Sequence, residues 1–273
     1  MKSLMQNGLS MVGAAVFLVC VGMLLTRPSN LASYLPELVE EISTKMEDPT
    51  VHIVLDAGHG GIDGGTANLA LVEKAPTLRV VQLVKEELET AQLENVKVIL
   101  TRDDDTYLSK YERVAIANRF PRSYFVSVHF NASTHRSASG TETYYASPKP
   151  TIIQNQLRRH LKLPENTPIE DRRAERFAQS VQNSLLEALG TRDRGIRNNP
   201  KFVLPREVIG PSILVECLFL SNQSEGLKLH GRGYIERIAS AITEGILDYV
   251  HETEIDPFAG ITAAPMPDAP GDL

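Results

Sequence analysis

The chain has 273 residues, of which 23% are charged and 42% hydrophobic, and it carries a formal net charge of −6. These values are ordinary for a globular protein and exclude a wholly disordered or fibrous one. A single apolar run long enough to approach bilayer thickness excludes a multi-span membrane protein, and an acidic balance without a basic block excludes broad binding to nucleic-acid phosphates.

That run, Leu9–Leu25, is uncharged and lies between Lys2 and Arg27, with no small-x-small cleavage pattern after it. Residues 1–27 are therefore expected to form a transmembrane anchor helix or a cleaved signal segment. Lys2 and the start amine favour a cytoplasmic N-terminus, so the bulk of the protein is expected outside, held at the membrane or secreted. Residues 28–50 are polar and acidic, with Pro28, Pro36 and Pro49, and read as a linker. Residues 252–273 contain Pro257, Pro265, Pro267 and Pro270 among small residues and read as a disordered tail. The folded domain is then expected over 51–251. Cys20 falls in the apolar run and Cys217 in a strand-like one, so cysteine supplies neither a disulfide nor a metal site. Any metal would have to be held by histidines and carboxylates.

Within the folded unit, Val51–Asp56 is a β-rich run that leads into the loop signal Gly58-His59-Gly60-Gly61. Pro76–Ala91 has apolar residues at Val80, Val81, Val84 and Leu88, the spacing of one helix face. Val96–Leu100 is a second strand, Lys110–Arg119 a helix, Tyr124–Phe130 a third strand and Gly140–Ala146 a fourth. Glu170–Leu189 reads as a helix stopped by Gly190, Ser212–Leu218 as another strand and Gly233–Val250 as a final helix. Strands alternating with helices, several of them apolar on both faces, predict a single α/β domain: a twisted, mixed but mostly parallel sheet covered by helices on both sides.

The strands end in chemistry. His59 follows the first strand, His129 sits near the end of Tyr124–Phe130 and Glu216 near the end of Ser212–Leu218. Glu73 stands just before the first helix. Ligands of open α/β sheets bind outside the carboxyl ends of the strands, so the four are expected on one rim. Two histidines and one carboxylate suit a catalytic zinc, Zn2+, with a fourth position left for water. His59, Glu73 and His129 fit the ligand role. Glu216, in the apolar context Ile213–Leu220, fits the residue that takes the water's proton and passes it to a leaving nitrogen.

Asp56-Ala57-Gly58-His59-Gly60-Gly61-Ile62-Asp63-Gly64-Gly65 resembles the opening motif of the zinc-dependent N-acetylmuramoyl-L-alanine amidases of the type 3 class. Val72-Glu73-Lys74 is similar to the second ligand motif and Ser127-Val128-His129-Phe130-Asn131-Ala132 to the third. Leu214–Asn222 resembles the motif of the catalytic glutamate, and Thr101–Asp105 and Arg113–Asn118 resemble the segments between. The resemblance implies a zinc enzyme that cuts the amide between the N-acetylmuramic acid lactyl group and L-alanine of the peptidoglycan stem peptide. It implies metal ligands His59, Glu73 and His129, and Glu216 as general base and acid. A wall-remodelling role also fits export to where peptidoglycan lies. Two other classes remain open at this point: a peptidoglycan-binding protein that keeps the fold without turnover, and a zinc peptidase or deacetylase acting on another amide.

The chain departs from the family pattern at Lys74-Ala75-Pro76, where a proline in the first helical turn stands close behind Glu73. The least matched segment is 147–171, with four prolines and the basic patch Arg158-Arg159-His160. Ile152–Leu163 within it is expected to be a mobile lid or a docking element for a regulatory partner. Asp56 is a candidate to orient a ligand histidine or to serve the turn at the strand end. Asn131 is a candidate donor to the substrate carbonyl or a cap for its loop, and Arg194 a candidate contact for a stem-peptide carboxylate or a structural ion pair. His135, His160, His230 and His251 have no ligand-like context.

Overall fold

In the computed structural model, which describes residues 50–120, 122–147, 149, 154–155, 158, 164, 169–231, 233–253 and 261–263, successive side chains of the central strands go to opposite sides of one sheet and meet two different kinds of cover. The elements in chain order are β1 (Val51–Ala57), β2 (Ala67–Asn68), β3 (Leu71–Val72), α1 (Lys74–Thr90), β4 (Val96–Leu100), α2 (Lys110–Ala117), β5 (Ser123–Asn131) and β6 (Thr141–Tyr145). They continue with β7 (Ile169–Asp171), α3 (Arg173–Leu189), β8 (Asp193–Asn198), α4 (Val203–Glu207), β9 (Ser212–Phe219), α5 (Gln223–Lys228), α6 (Tyr234–Glu252) and β10 (Ile261–Ala263).

The main sheet has the order β4-β1-β5-β9-β6-β8. β4, β1, β5 and β9 run parallel, β6 runs antiparallel to β9, and β8 runs parallel to β6. This is the mixed, mostly parallel α/β sheet that the alternation of elements predicts. On one side Ile53 and Leu55 of β1, Tyr124, Val126 and Val128 of β5, and Ile213 and Val215 of β9 are buried against α1, α3 and α6. Each such large apolar side chain contributes about 1.5–3 kcal/mol by leaving water. On the other side a smaller cluster joins Val54, Phe125, Ala117 of α2, and Leu204 and Val208 at α4. The rest of that side is free for polar residues.

Local signals explain most boundaries. Ser109 caps α2 in a capping box with Glu112, and Gly190 ends α3 in the left-handed conformation, φ 58°. α1 begins at Lys74, ahead of the expected Pro76, because a proline in the first turn withholds no N–H that the helix needs. α3 begins at Arg173 rather than Glu170, because Ile169–Asp171 pairs as a strand. Its partner is Ile261–Ala263, antiparallel, within the stretch expected to be disordered. Backbone pairing to a neighbouring strand holds those three residues. β8, α4, α5 and the β2–β3 hairpin go unannounced in the sequence. β8 (DRGIRN) is an edge strand with little apolar alternation, and the short helices hold too few turns to show a period.

No helix among the described residues is long and apolar enough to cross a membrane. The anchor expected over 1–27 and, apart from Thr50, the linker over 28–50 lie outside the described residues. So does most of Ile152–Leu163. Its described members Gln154, Asn155 and Arg158 hydrogen-bond among themselves, and Gln154 donates to the Lys149 carbonyl at 2.7 Å.

Candidate metal centre

His59 stands on the loop that leaves β1, with a left-handed backbone, φ 60°, that non-glycine residues seldom adopt. Two buried guanidiniums hold that loop. Arg113 donates to the Ala57 carbonyl at 2.6 Å and the His59 carbonyl at 2.7 Å, and Arg102 to the carbonyls of Ala57 and Gly58 at 3.1 and 2.9 Å. Arg113 is in turn paired with the fully buried Asp56 at 2.7 Å, which also accepts from Thr101 Oγ1 and Ser127 Oγ, each at 2.6 Å. Charge-assisted bonds of this kind compensate for the strained backbone at His59.

Glu73 is the N-cap residue of α1, fixed by the hairpin before it: its N–H donates to Thr66 O at 2.9 Å and its Oε2 accepts from Thr66 N at 2.8 Å. Oε1 accepts from Phe130 N on β5 at 3.0 Å. The same oxygen lies 3.1 Å from His59 Nε2 and 3.1 Å from His129 Nδ1. The imidazole rings stand nearly perpendicular, 5.0 Å between centroids. One ligand atom from each of His59, Glu73 and His129 thus falls within 4.8 Å of the others. Two glycines make this closeness possible. A Cβ on Gly58 would lie 2.4 Å from the His129 ring, and one on Gly65 2.6 Å from both Glu73 Oε2 and His59 Cδ2. The proline at 76 has not drawn Glu73 away from the histidines.

The carboxylate that orients His59 is Asp63, whose Oδ2 lies 2.9 Å from His59 Nδ1 and leaves Nε2 for the cluster. The expectation for Asp56 is corrected accordingly. Asp56 contacts neither His59 nor His129 and acts through Arg113, because its side chain lies inside the strand layer rather than at the loop. Burial disfavours the charged form of His59, but Glu73 and Asp63 outweigh it and raise its pKa. Burial likewise acts against the Glu73 carboxylate, but hydrogen bonds from His129 and His59 hold it well below the usual carboxylate range.

Glu216 lies beside the cluster by strand register: its partner on β5 is His129 and its partner on β6 is Glu142. Its Oε2 is buried with no hydrogen-bond partner among the described residues. Burial first, then the charges of Glu73 and Glu142, push its pKa well above the ordinary glutamate value. Glu142, not singled out in the sequence, is the hub of the neighbouring strands. It accepts from Arg194 Nε at 3.1 Å and, on its other oxygen, from Asn131 Nδ2, and it forms an ion pair with Arg197 Nε at 2.8 Å. Its alternation with Tyr144 in the Gly140–Ala146 run was the available signal. Asn131 lines the cavity of the cluster, and its Oδ1 accepts from Ala132 N. Arg194 is engaged by Glu142, lies 4.8 Å over the Phe219 ring, and is not among the residues lining that cavity. His230 Nε2 donates to Leu69 O at 3.0 Å and belongs to no metal-binding group among the described residues. Cys217 is buried, and burial raises its thiol pKa, as suits an inert apolar residue.

The cavity measures about 440 Å³ and is lined by His59, Glu73, His129 and Glu216, together with the apolar Leu108, Phe202, Leu204 and Leu214. Two imidazole nitrogens and a carboxylate oxygen gathered around one point suit a divalent transition metal. The unpartnered Glu216 oxygen beside them suits proton transfer.

Fold and site together define an α/β domain with a two-histidine, one-carboxylate cluster at the carboxyl ends of its parallel strands. The chain belongs to the N-acetylmuramoyl-L-alanine amidase family, whose profile matches residues 53–248. It is 30% identical over 216 residues to the N-acetylmuramoyl-L-alanine amidase LytC of Bacillus subtilis, an alignment covering 78% of this chain and 39% of that protein. The catalytic domain of the amidase CwlV from Bacillus (Paenibacillus) polymyxa superposes with TM-score 0.62 at 31% identity, covering 74% of this chain and 99% of that one. The CwlD amidase of Clostridioides difficile, in complex with the GerS lipoprotein, superposes with TM-score 0.62 at 28% identity, covering 74% of this chain and all of that one.

Proposed function

We propose that this chain hydrolyses the amide between N-acetylmuramic acid and L-alanine of peptidoglycan stem peptides, with zinc held by His59, Glu73 and His129. The observation that carries the reading is the convergence of those three ligand atoms within 4.8 Å, with Glu216 the strand neighbour of His129 on the same cavity. Zinc bound there supplies polarisation of the scissile carbonyl and a water acidified from about 15.7 to roughly 7. Asp63 fixes the His59 ring so that Nε2 faces the cluster. Glu216, buried beside the cluster with an unpartnered oxygen, takes a proton from the attacking water and delivers it to the leaving nitrogen. The apolar wall keeps bulk water from the reacting amide and strengthens these interactions.

In the cell the reaction serves wall remodelling. The uncharged run 9–25 supports export, with the domain tethered to the outer face of the cytoplasmic membrane or released by cleavage. The CwlD complex with a lipoprotein supports a protein partner for this chain as well, and residues 147–171 are the segment we assign to it. Mass spectrometry of purified peptidoglycan digested by the protein tests the activity. Free stem peptides beginning with L-alanine are expected. Cleavage inside peptides or loss of acetyl groups would make the chain a different amidohydrolase, and no product from the zinc-loaded protein would make it a binding protein.

A further inference from the structure

Resting on the amidase reading, we propose that Lys110 and Lys201 form a carboxylate subsite that selects stem peptides bearing a free acid beyond L-alanine. Both lysines line the cavity that holds the metal cluster. Lys110 is the first residue of α2 and Lys201 lies two residues ahead of α4. Those two helices pack against each other.

The third cation of the cavity, Arg113, is spent on Asp56 and on the carbonyls of Ala57, His59 and Leu108. Lys110 and Lys201 are exposed, and neither side chain has an ion pair or hydrogen bond among the described residues. The wall of the same cavity is apolar, through Leu108, Phe202, Leu204 and Leu214. Among the described residues these two ammonium groups are the cavity's uncommitted lysine and arginine charges. With the amide carbonyl at the cluster, the apolar residues and the two lysines of the same cavity are left for a small aliphatic side chain and a carboxylate. Lysine's compact charge on a flexible stem accepts that carboxylate in several orientations.

The test uses the zinc-loaded full chain and two muramyl-L-alanyl peptides that differ only in a carboxylate or a carboxamide on the second stem residue. The acid is expected to be cleaved with kcat/KM about fivefold higher, chiefly through KM, a preference that shrinks when salt is raised to about 0.5 M. In the double variant Lys110→Gln, Lys201→Gln the ratio between the two peptides should fall to near one, with zinc content and melting temperature held. A double variant that keeps the preference, or a wild type that shows none while cleaving both peptides, overturns the subsite and leaves the amidase reading standing. No turnover of either peptide by the wild type overturns the amidase reading and the subsite with it.

Discussion

The two faces of the sheet use the same strands for opposite purposes. On β5, Tyr124, Val126, Val128 and Phe130 go to the side covered by α1, α3 and α6, while Ser127 and His129 go to the other. On β9, Ile213 and Val215 join the core, and Leu214 and Glu216 line the cavity. The first face carries stability through area removed from water. The second tolerates a strained His59, a carboxyl with an unpartnered oxygen and a buried cluster of like charges, all costly features that the first face offsets. Substitutions on one face should therefore damage stability, and those on the other chemistry.

The largest separation is expected from Glu216→Gln, which should lower turnover by about 10³–10⁴-fold while metal content and melting temperature stay near wild type. Loss of metal in that variant would make Glu216 a ligand. On the opposite face Phe177, fully buried and stacked 4.7 Å from the Tyr249 ring, should cost about 3–5 kcal/mol of stability on change to alanine. Its activity per folded molecule should survive, and a turnover defect without a stability defect would break the division. Asp63→Ala should weaken metal binding by about 10–100-fold, read by competition with a chelator, because the His59 ring loses its orienting carboxylate.

A pH-dependent effect concerns Lys149, which is buried and donates to the carbonyls of Pro205 and Val208 at the end of α4. Burial lowers its pKa to about 7, against an ordinary 10.5. Between those values the unfolded chain binds the proton and the folded chain does not, so this residue's contribution to stability rises with pH from about 7 to 10.5. Denaturant unfolding of wild type and Lys149→Met across that window should show their difference moving in favour of the wild type as pH rises. A constant difference would contradict the shift.

Much of this division is legible in the sequence, because the central strands alternate and their polar members fall at strand ends. His59, Glu73, His129 and Glu216 could be grouped before any coordinates, since strand ends of parallel sheets share a rim. What escaped depends on pairing between distant segments. Glu142 gains its place from register with Glu216 on an antiparallel strand, and a single run of sequence does not encode register. Asp63 reaches His59 only because the glycine-rich loop turns back, with Gly60 and Asp63 bonded to each other. Asp56 stands as near to His59 in the chain, but its side chain lies within the strand layer and pairs with Arg113. The pairing of Ile261–Ala263 with Ile169–Asp171 joins a proline-rich tail to a poorly patterned insertion, and neither announces the other.

The most direct test is to strip the protein with a chelator and titrate zinc back while measuring release of L-alanine-terminated stem peptides from purified peptidoglycan. We expect activity to be absent from the stripped protein, to return in proportion and to saturate at one zinc per chain, with His129→Ala neither binding that equivalent nor recovering. Full activity in the stripped wild type, or recovery in His129→Ala, would contradict a catalytic metal held by His59, Glu73 and His129.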